Sequence, residues 1–296
     1  MRLSTLVSAS AELAPATLLP ITPLLRRSMA SAMLARLSGR VGLGLLLITL
    51  GIAVLGPHLV TVDPFALTGP PLARPTAAHP MGTDALGRDL LSGVVHGART
   101  SLLIACAVAA MAGACGIAVG VAAGYRGGLV DDALSRAGEL FQVMPRLFLA
   151  AVVIALFGHG VDRIVLTLGL TSWPVLARVV RGEILSTRNA DFVRAAEALG
   201  ASSRYIAWRV LLPHVAPSAA VMLGLLFGQV LLIEASLGFL GLSDPNTLTW
   251  GLLVGESQGF LRVAWWLALF PGLAITIAIL AFNLLADALA AAVGRR

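Results

Sequence analysis

Lysine is absent from this chain of 296 residues: all 21 basic side chains are arginine, against 15 acidic ones, for a net charge of +6. Charge of either sign is scarce at 12% of residues, while 58% are hydrophobic and the mean hydropathy is +0.90. That balance excludes an ordinary soluble domain and fits an integral membrane protein. A pI near 10.8 would suit a nucleic-acid partner, but the arginines punctuate the ends of apolar segments instead of gathering on a polar domain. No nucleic-acid role is expected. Cysteine is nearly missing too: Cys106 and Cys115 stand nine residues apart in one apolar segment. At about 100° per residue they fall on opposite faces of a helix and cannot bridge. Neither sits at metal-ligand spacing, and His58, His159 and His214 are isolated, so no metal site is expected.

Catalytic signatures are also missing. There is no GxxxxGK[ST] phosphate loop, no HExxH and no nucleophile elbow, and Ser92 and Ser101 are single serines in helical context. No nucleotide site, catalytic residue or cofactor is expected on this chain.

What is present is a set of long apolar runs. Six candidate spans fall at about 41–60, 101–125, 139–158, 162–181, 217–242 and 264–290, each long enough to cross about 30 Å of hydrocarbon as a helix. The expected fold is an all-α polytopic membrane protein. With the N-terminus inside, fifteen arginines fall on inner segments and five on outer ones, with Arg146 left within reach of the third span. That bias predicts an N-in, C-in topology. Residues 1–34 read as a cytoplasmic lead-in, residues 35–100 as the first span with an extracytoplasmic loop, and residues 101–294 as a five-span core. Gly116, Gly120 and Gly124 form a small-residue stripe on span two, for packing within the protein or for a dimer seam. Pro145, Pro174 and Pro271 should break or kink helices.

Between spans four and five lies a polar interruption at about 188–213. Asn189 and Asp191 are candidate caps for a short helix with Phe192, Ala195, Ala196 and Leu199 on one face. Gly200 stands where a helix commonly ends in a left-handed residue. Ser202 or Ser203 can cap a second helix carrying Tyr205, Trp208, Arg209 and Leu212, before Pro213 ends or redirects it. The product is a cytoplasmic helix–turn–helix knuckle whose small-residue face suits insertion into a groove.

Two more regions stand out. Asp84 or Thr83 can cap a helix with Leu86, Leu90, Leu91, Val94 and Val95 on one side and Arg88, Asp89 and His96 on the other. That pattern predicts an interfacial helix on the outer surface before span two. Glu234 is a carboxylate within span five, close enough to its outer end for water and helix-end partners to reach it. A structural or gating role is expected.

The pattern Ala195–Ala196, three residues, Gly200, nine residues, Val210, one residue, Leu212–Pro213 resembles the coupling-loop motif of ABC-importer permeases. Arg194 stands where the general pattern has Glu, as in many peptide-importer permeases, and Val210 replaces the usual isoleucine. Two further blocks are similar to the dipeptide, oligopeptide and nickel class: His79–Ala105, with Gly82-Thr83-Asp84, Leu86-Gly87-Arg88-Asp89 and Gly97-Ala98-Arg99, and Ile233–Leu242 followed by Trp250–Gly251. Gly238 stands where that class usually has serine. The likeness covers roughly residues 35–294.

The resemblance implies a type I ABC-importer permease fold in the bacterial cytoplasmic membrane, with Arg194, Ala195, Ala196, Gly200, Val210, Leu212 and Pro213 coupling to an ATPase. It implies an elbow at Asp84, Arg88 and Asp89 for a substrate-binding protein, and Glu234 as a gate or pathway residue. The implied partners are a second, homologous permease subunit in a heterodimer and two ABC ATPase domains, which would carry the ATP and Mg. The implied cargo is a di- or oligopeptide; a nickel chelate or another small solute is the alternative. A secondary transporter would want a chain of intramembrane carboxylates, and a non-transporting membrane enzyme or scaffold would leave the knuckle without a purpose.

Overall fold

The computed structural model describes residues 33–293. All but the end of the expected lead-in lies outside them, as do Arg2, Arg26, Arg27, Arg295 and Arg296. Among the described residues the chain is helical, with two isolated antiparallel bridges and no strand. The elements in order are α1 (Leu37–Leu59), α2 (Leu90–Arg126), α3 (Gly128–Val143), α4 (Arg146–Phe157), α5 (Val161–Thr187) and α6 (Asp191–Ala198). They continue with α7 (Ser203–Phe239), α8 (Trp250–Glu256) and α9 (Trp266–Val293).

Five helices, α1, α2, α5, α7 and α9, are long and apolar enough to span a bilayer, and α3–α4 form a sixth candidate bent by 72°. The bend has a chemical cause. Pro145 has no N–H to donate and forces its predecessor out of the helical region, so Met144 is extended at φ −91°, ψ 132°. Pro174 and Pro271 instead sit inside continuous helices. Lipid-facing helix surfaces stay apolar: on α1, Leu47 is 60% exposed and Leu55 59%.

Lipid tails are as apolar as leucine, so helix association in a bilayer depends on close contact more than on burial. The glycine stripe of α2 supplies that contact, and it faces inward. A Cβ on Gly116 would meet Leu176 Cβ at 2.9 Å, one on Gly120 would meet Val180 Cβ at 2.6 Å, and one on Gly124 would meet Ile184 Cβ at 2.8 Å. The stripe is therefore the seam between α2 and α5 within this chain. An ion pair between Arg181 and Asp131 pins α3 to the same helix.

The expected interfacial helix does not form. Residues Thr83–Asp89 make a tight turn with a bridge between its ends, and the Asp84 carboxylate accepts from the backbone N–H of Leu86 and of Arg88, both at 2.8 Å. Gly87, at φ +85°, blocks helical continuation. The cap expected of Asp84 or Thr83 belongs to Asp89, which accepts from Ser92 N at 2.9 Å and starts one unbroken helix of 37 residues. Leu90 and Val94 lie under Leu253 and Trp266 as core residues, not on a membrane surface.

Candidate functional site

The knuckle forms at one end of the bundle. α6 ends in a reciprocal pair of hydrogen bonds, Gly200 N to Glu197 O at 2.9 Å and Ala201 N to Ala196 O at 3.1 Å, with Gly200 at φ +80°. This is the left-handed helix stop expected there. Ser202 caps the next helix by accepting from Tyr205 N at 3.3 Å. The first cap departs from expectation: neither Asn189 nor Asp191 serves, and Ala190 holds the cap position without a side-chain bond.

Pro213 does not end the helix that follows. Residues Ile206–Leu211 widen into a π-helical turn, and Leu212 N donates to Ala207 O, five residues back. Extra room in the turn before a proline relieves the clash its ring would otherwise cause, and α7 runs on to Phe239.

The knuckle has an anchored side and an open side. Val193, Ile206 and Leu211 are buried with Val180 and Ile184 of α5, while the Phe192 ring stacks on His214 at 4.7 Å. Val193 was not legible as the anchor, because the apolar face at Phe192, Ala195, Ala196 and Leu199 leaves it out. The open side carries Leu199, 88% exposed, with Phe192, Tyr205 and Trp208 also exposed. Arg194, Ala195, Gly200 and Pro213 lie on the surface, and Ala196, Val210 and Leu212 are half-buried.

At the opposite end, α8 folds back against α2 and α7. Gly238 and Gly255 leave room for backbone to touch backbone across α7 and α8. Glu234 lies beneath this elbow and is only 2% exposed, which corrects the expectation that water reaches it. Ser101 donates to its carboxylate at 3.4 Å, Trp250 N donates to Ser101 Oγ at 3.0 Å, and Trp250 Nε1 reaches Val94 O at 2.8 Å. The carboxylate thus ties α2, α7 and α8 together.

The nearby turn is held by its own polar groups. Asp89 is 6% exposed and bonds His79 Nδ1 at 2.9 Å besides capping α2. Arg88 lies over the Phe65 ring at 5.4 Å, with Nε 3.9 Å from Asp84. Glu256 lines a pocket of about 180 Å³ beside Asp84, Leu86 and Leu253. Partial burial there pushes its carboxyl above the ordinary range, against the opposing pull of Arg88.

Residues 116–296, which include the knuckle and α8, match the family of binding-protein-dependent transport system inner membrane components. The chain belongs to that family. This inner membrane component is 34% identical to the dipeptide transport system permease protein DppC of Alkalihalophilus pseudofirmus, over 83% of this chain and 82% of that one. It is 37% identical to a putative peptide transport system permease protein of Brucella suis, over 88% of each chain. The di/tripeptide transport system permease protein DppC of Pseudomonas aeruginosa matches at 33% over 84% of each. Among solved structures, a chain of the MetNI methionine ABC transporter superposes with a TM-score of 0.56 at 17% identity, covering 68% of this chain and 96% of that one. That likeness establishes the helical permease fold. The protein is thus a multi-pass membrane permease subunit.

Proposed function

We propose that this inner membrane component is one of two homologous permease subunits of an ATP-driven ABC importer for di- or oligopeptides. Two cytoplasmic ATPase domains bind and hydrolyse ATP with Mg, and an extracytoplasmic binding protein delivers the cargo. The arginine bias toward the knuckle end supports a cytoplasmic position for it, in a bacterial inner membrane.

The observation that carries the reading is the two-sided knuckle. Its inner side is fixed to α5 by Val193 and Ile206, so it moves with the bundle, while its outer side exposes Leu199, Tyr205 and Trp208. A surface of that kind fits a groove on an ATPase and transmits the groove's motion to the spans. Arg194, Ala195, Ala196 and Gly200 shape the inserted helix; Val210, Leu212 and Pro213 join it to α7. Asp84 and Arg88 serve the binding protein's contact at the other end, with Asp89 holding their turn in place. Glu234 holds the outer gate through Ser101 of α2, which in turn holds the start of α8. The peptide cargo rests on the names of the relatives.

Transport is by alternating access. Taking the bundle from 1:99 to 99:1 between its two orientations requires ATP to favour one state by about 5.5 kcal/mol. The test is ATP hydrolysis by the copurified complex in nanodiscs, challenged with its binding protein and a dipeptide, a longer peptide or nickel. Stimulation by a peptide supports the proposal. Stimulation by nickel alone removes the peptide assignment, and a chain that copurifies with no ATPase removes the importer assignment.

A further inference from the structure

Three polar side chains on three different helices meet at one depth. Arg146 begins α4 eleven residues before its Phe157 end, Ser172 lies eleven residues into α5 from Val161, and Gln229 lies ten residues before the Phe239 end of α7. At 1.5 Å per residue, all three sit about 15–17 Å from the same end of the bundle. That is half of a hydrocarbon core of about 30 Å. They line a small cavity of about 60 Å³. Arg146 Nη1 donates to Gln229 Oε1 at 3.4 Å, its one side-chain hydrogen bond among the described residues. Most of its five donors are therefore unspent.

A half-exposed guanidinium at bilayer mid-depth does not face lipid tails, because intramembrane charge is confined to bundle interiors and water-filled paths. Helix breaks at mid-depth mark such paths, and the break at Pro145 immediately precedes this arginine. A second pair continues the track toward the knuckle end: Arg178 Nη2 donates to Gln142 Oε1 at 3.1 Å, on the α3 side of the same break. Both pairs present arginine donors with glutamine as the positioning partner; no acidic residue lines the cavity of the first pair, and Glu139 lines that of the second. The chemistry suits an anionic, planar ligand.

We propose that Arg146, positioned by Gln229, contacts the α-carboxylate of the peptide as it crosses the membrane, with Arg178 as the next contact along the path. This deepens the importer reading and rests on it.

The experiment uses the whole complex with its ATPases and binding protein in proteoliposomes. ATP-dependent uptake of one peptide with a free C-terminus is compared with uptake of the same peptide as its C-terminal amide. For R146Q the expected result is a fall of about tenfold or more in the acid-to-amide uptake ratio relative to the unmodified complex, the scale of losing one hydrogen bond to a charged group. R146K, which keeps the charge but not the planar fork, should recover part of that ratio, and ATP hydrolysis stimulated by the binding protein should persist in both variants. Equal loss of acid and amide uptake would make Arg146 a purely structural residue and overturn the proposal, as would an unchanged ratio. An unmodified complex that takes up no peptide of either kind sinks the importer reading instead.

Discussion

Gly251 faces the Glu234 carboxylate so closely that a Cβ there would stand 2.5 Å from Oε1 and 2.6 Å from the Glu234 carbonyl oxygen. The elbow therefore depends on a missing side chain as much as on a buried charged one. Gly251→Ala must push α8 away from α7, and overpacking of this kind costs about 1–3 kcal/mol. A lower midpoint in thermal unfolding of the detergent-solubilised protein is expected; an unchanged midpoint would mean that α8 is not held against Glu234.

The carboxylate itself can be tested by shape against charge. Glu234→Gln keeps the volume and one acceptor for Ser101, so its loss should stay near 1 kcal/mol, the usual net worth of a hydrogen bond. Glu234→Ala leaves a void and takes away the acceptor of the Ser101 hydroxyl, and should cost about 2–4 kcal/mol. Chemical denaturation of the two variants side by side decides the matter. Equal losses would show that the negative charge, and not the packing, secures the elbow.

Along the α2–α5 seam, two glycines provide a contrast. A Cβ on Gly120 would meet Val180 Cβ and the Ala177 carbonyl at 2.6 and 2.7 Å, whereas one on Gly182 would meet nothing within 4 Å. Gly120→Ala should destabilise the bundle by about 1–3 kcal/mol. Gly182→Ala should be neutral or stabilising by up to about 1 kcal/mol through helix propensity. Thermal midpoints of the two single variants are the measurement, and a tolerated Gly120→Ala would remove the seam's claim to close packing.

The long spans were legible because a run of some twenty apolar residues has few other destinations, and the stop at Gly200 because its residue type answers a local backbone need. What escaped the sequence was set by neighbours. Leu90 and Val94 read as a lipid-facing stripe until Trp266 and Leu253 cover them, so α2 looked like two helices. Pro213 marks a place to end or redirect the helix, but the π turn before it leaves room for its ring and the helix continues. Glu234 looked wet from its place near a helix end and is sealed by α8, which starts at Trp250 well beyond it in the chain. Arg146 and Gln229 are 83 residues apart, and no local pattern joins them.

Glu256 sets a pH dependence outside the spans. Its carboxyl is raised by partial burial, so the folded elbow binds the proton more tightly than the unfolded chain does. That contribution favours the fold below the ordinary carboxylate range and is lost as pH rises through the raised value. Stability should therefore decline across that window, and Glu256→Gln should flatten the decline. Unfolding midpoints taken through the acid-to-neutral range would show it; the same slope in both proteins would assign the effect to another group.

Gly200 separates backbone strain from crowding at the knuckle. Its φ is +80°, yet a Cβ there would meet nothing within 4 Å, so any penalty for a side chain is conformational. A non-glycine residue in the left-handed region costs about 1–2 kcal/mol, roughly 5- to 30-fold in an equilibrium. Asparagine visits that region readily, and β-branched valine does so poorly. Gly200→Asn should therefore keep most ATP-driven uptake in the reconstituted complex. Gly200→Val should lose much of it while still inserting into the membrane, because the buried anchors Val193 and Ile206 are untouched. Continued ATP hydrolysis without uptake in the valine variant would locate the fault in transmission from the ATPases to the spans. Normal uptake by that variant would leave the knuckle without a coupling role.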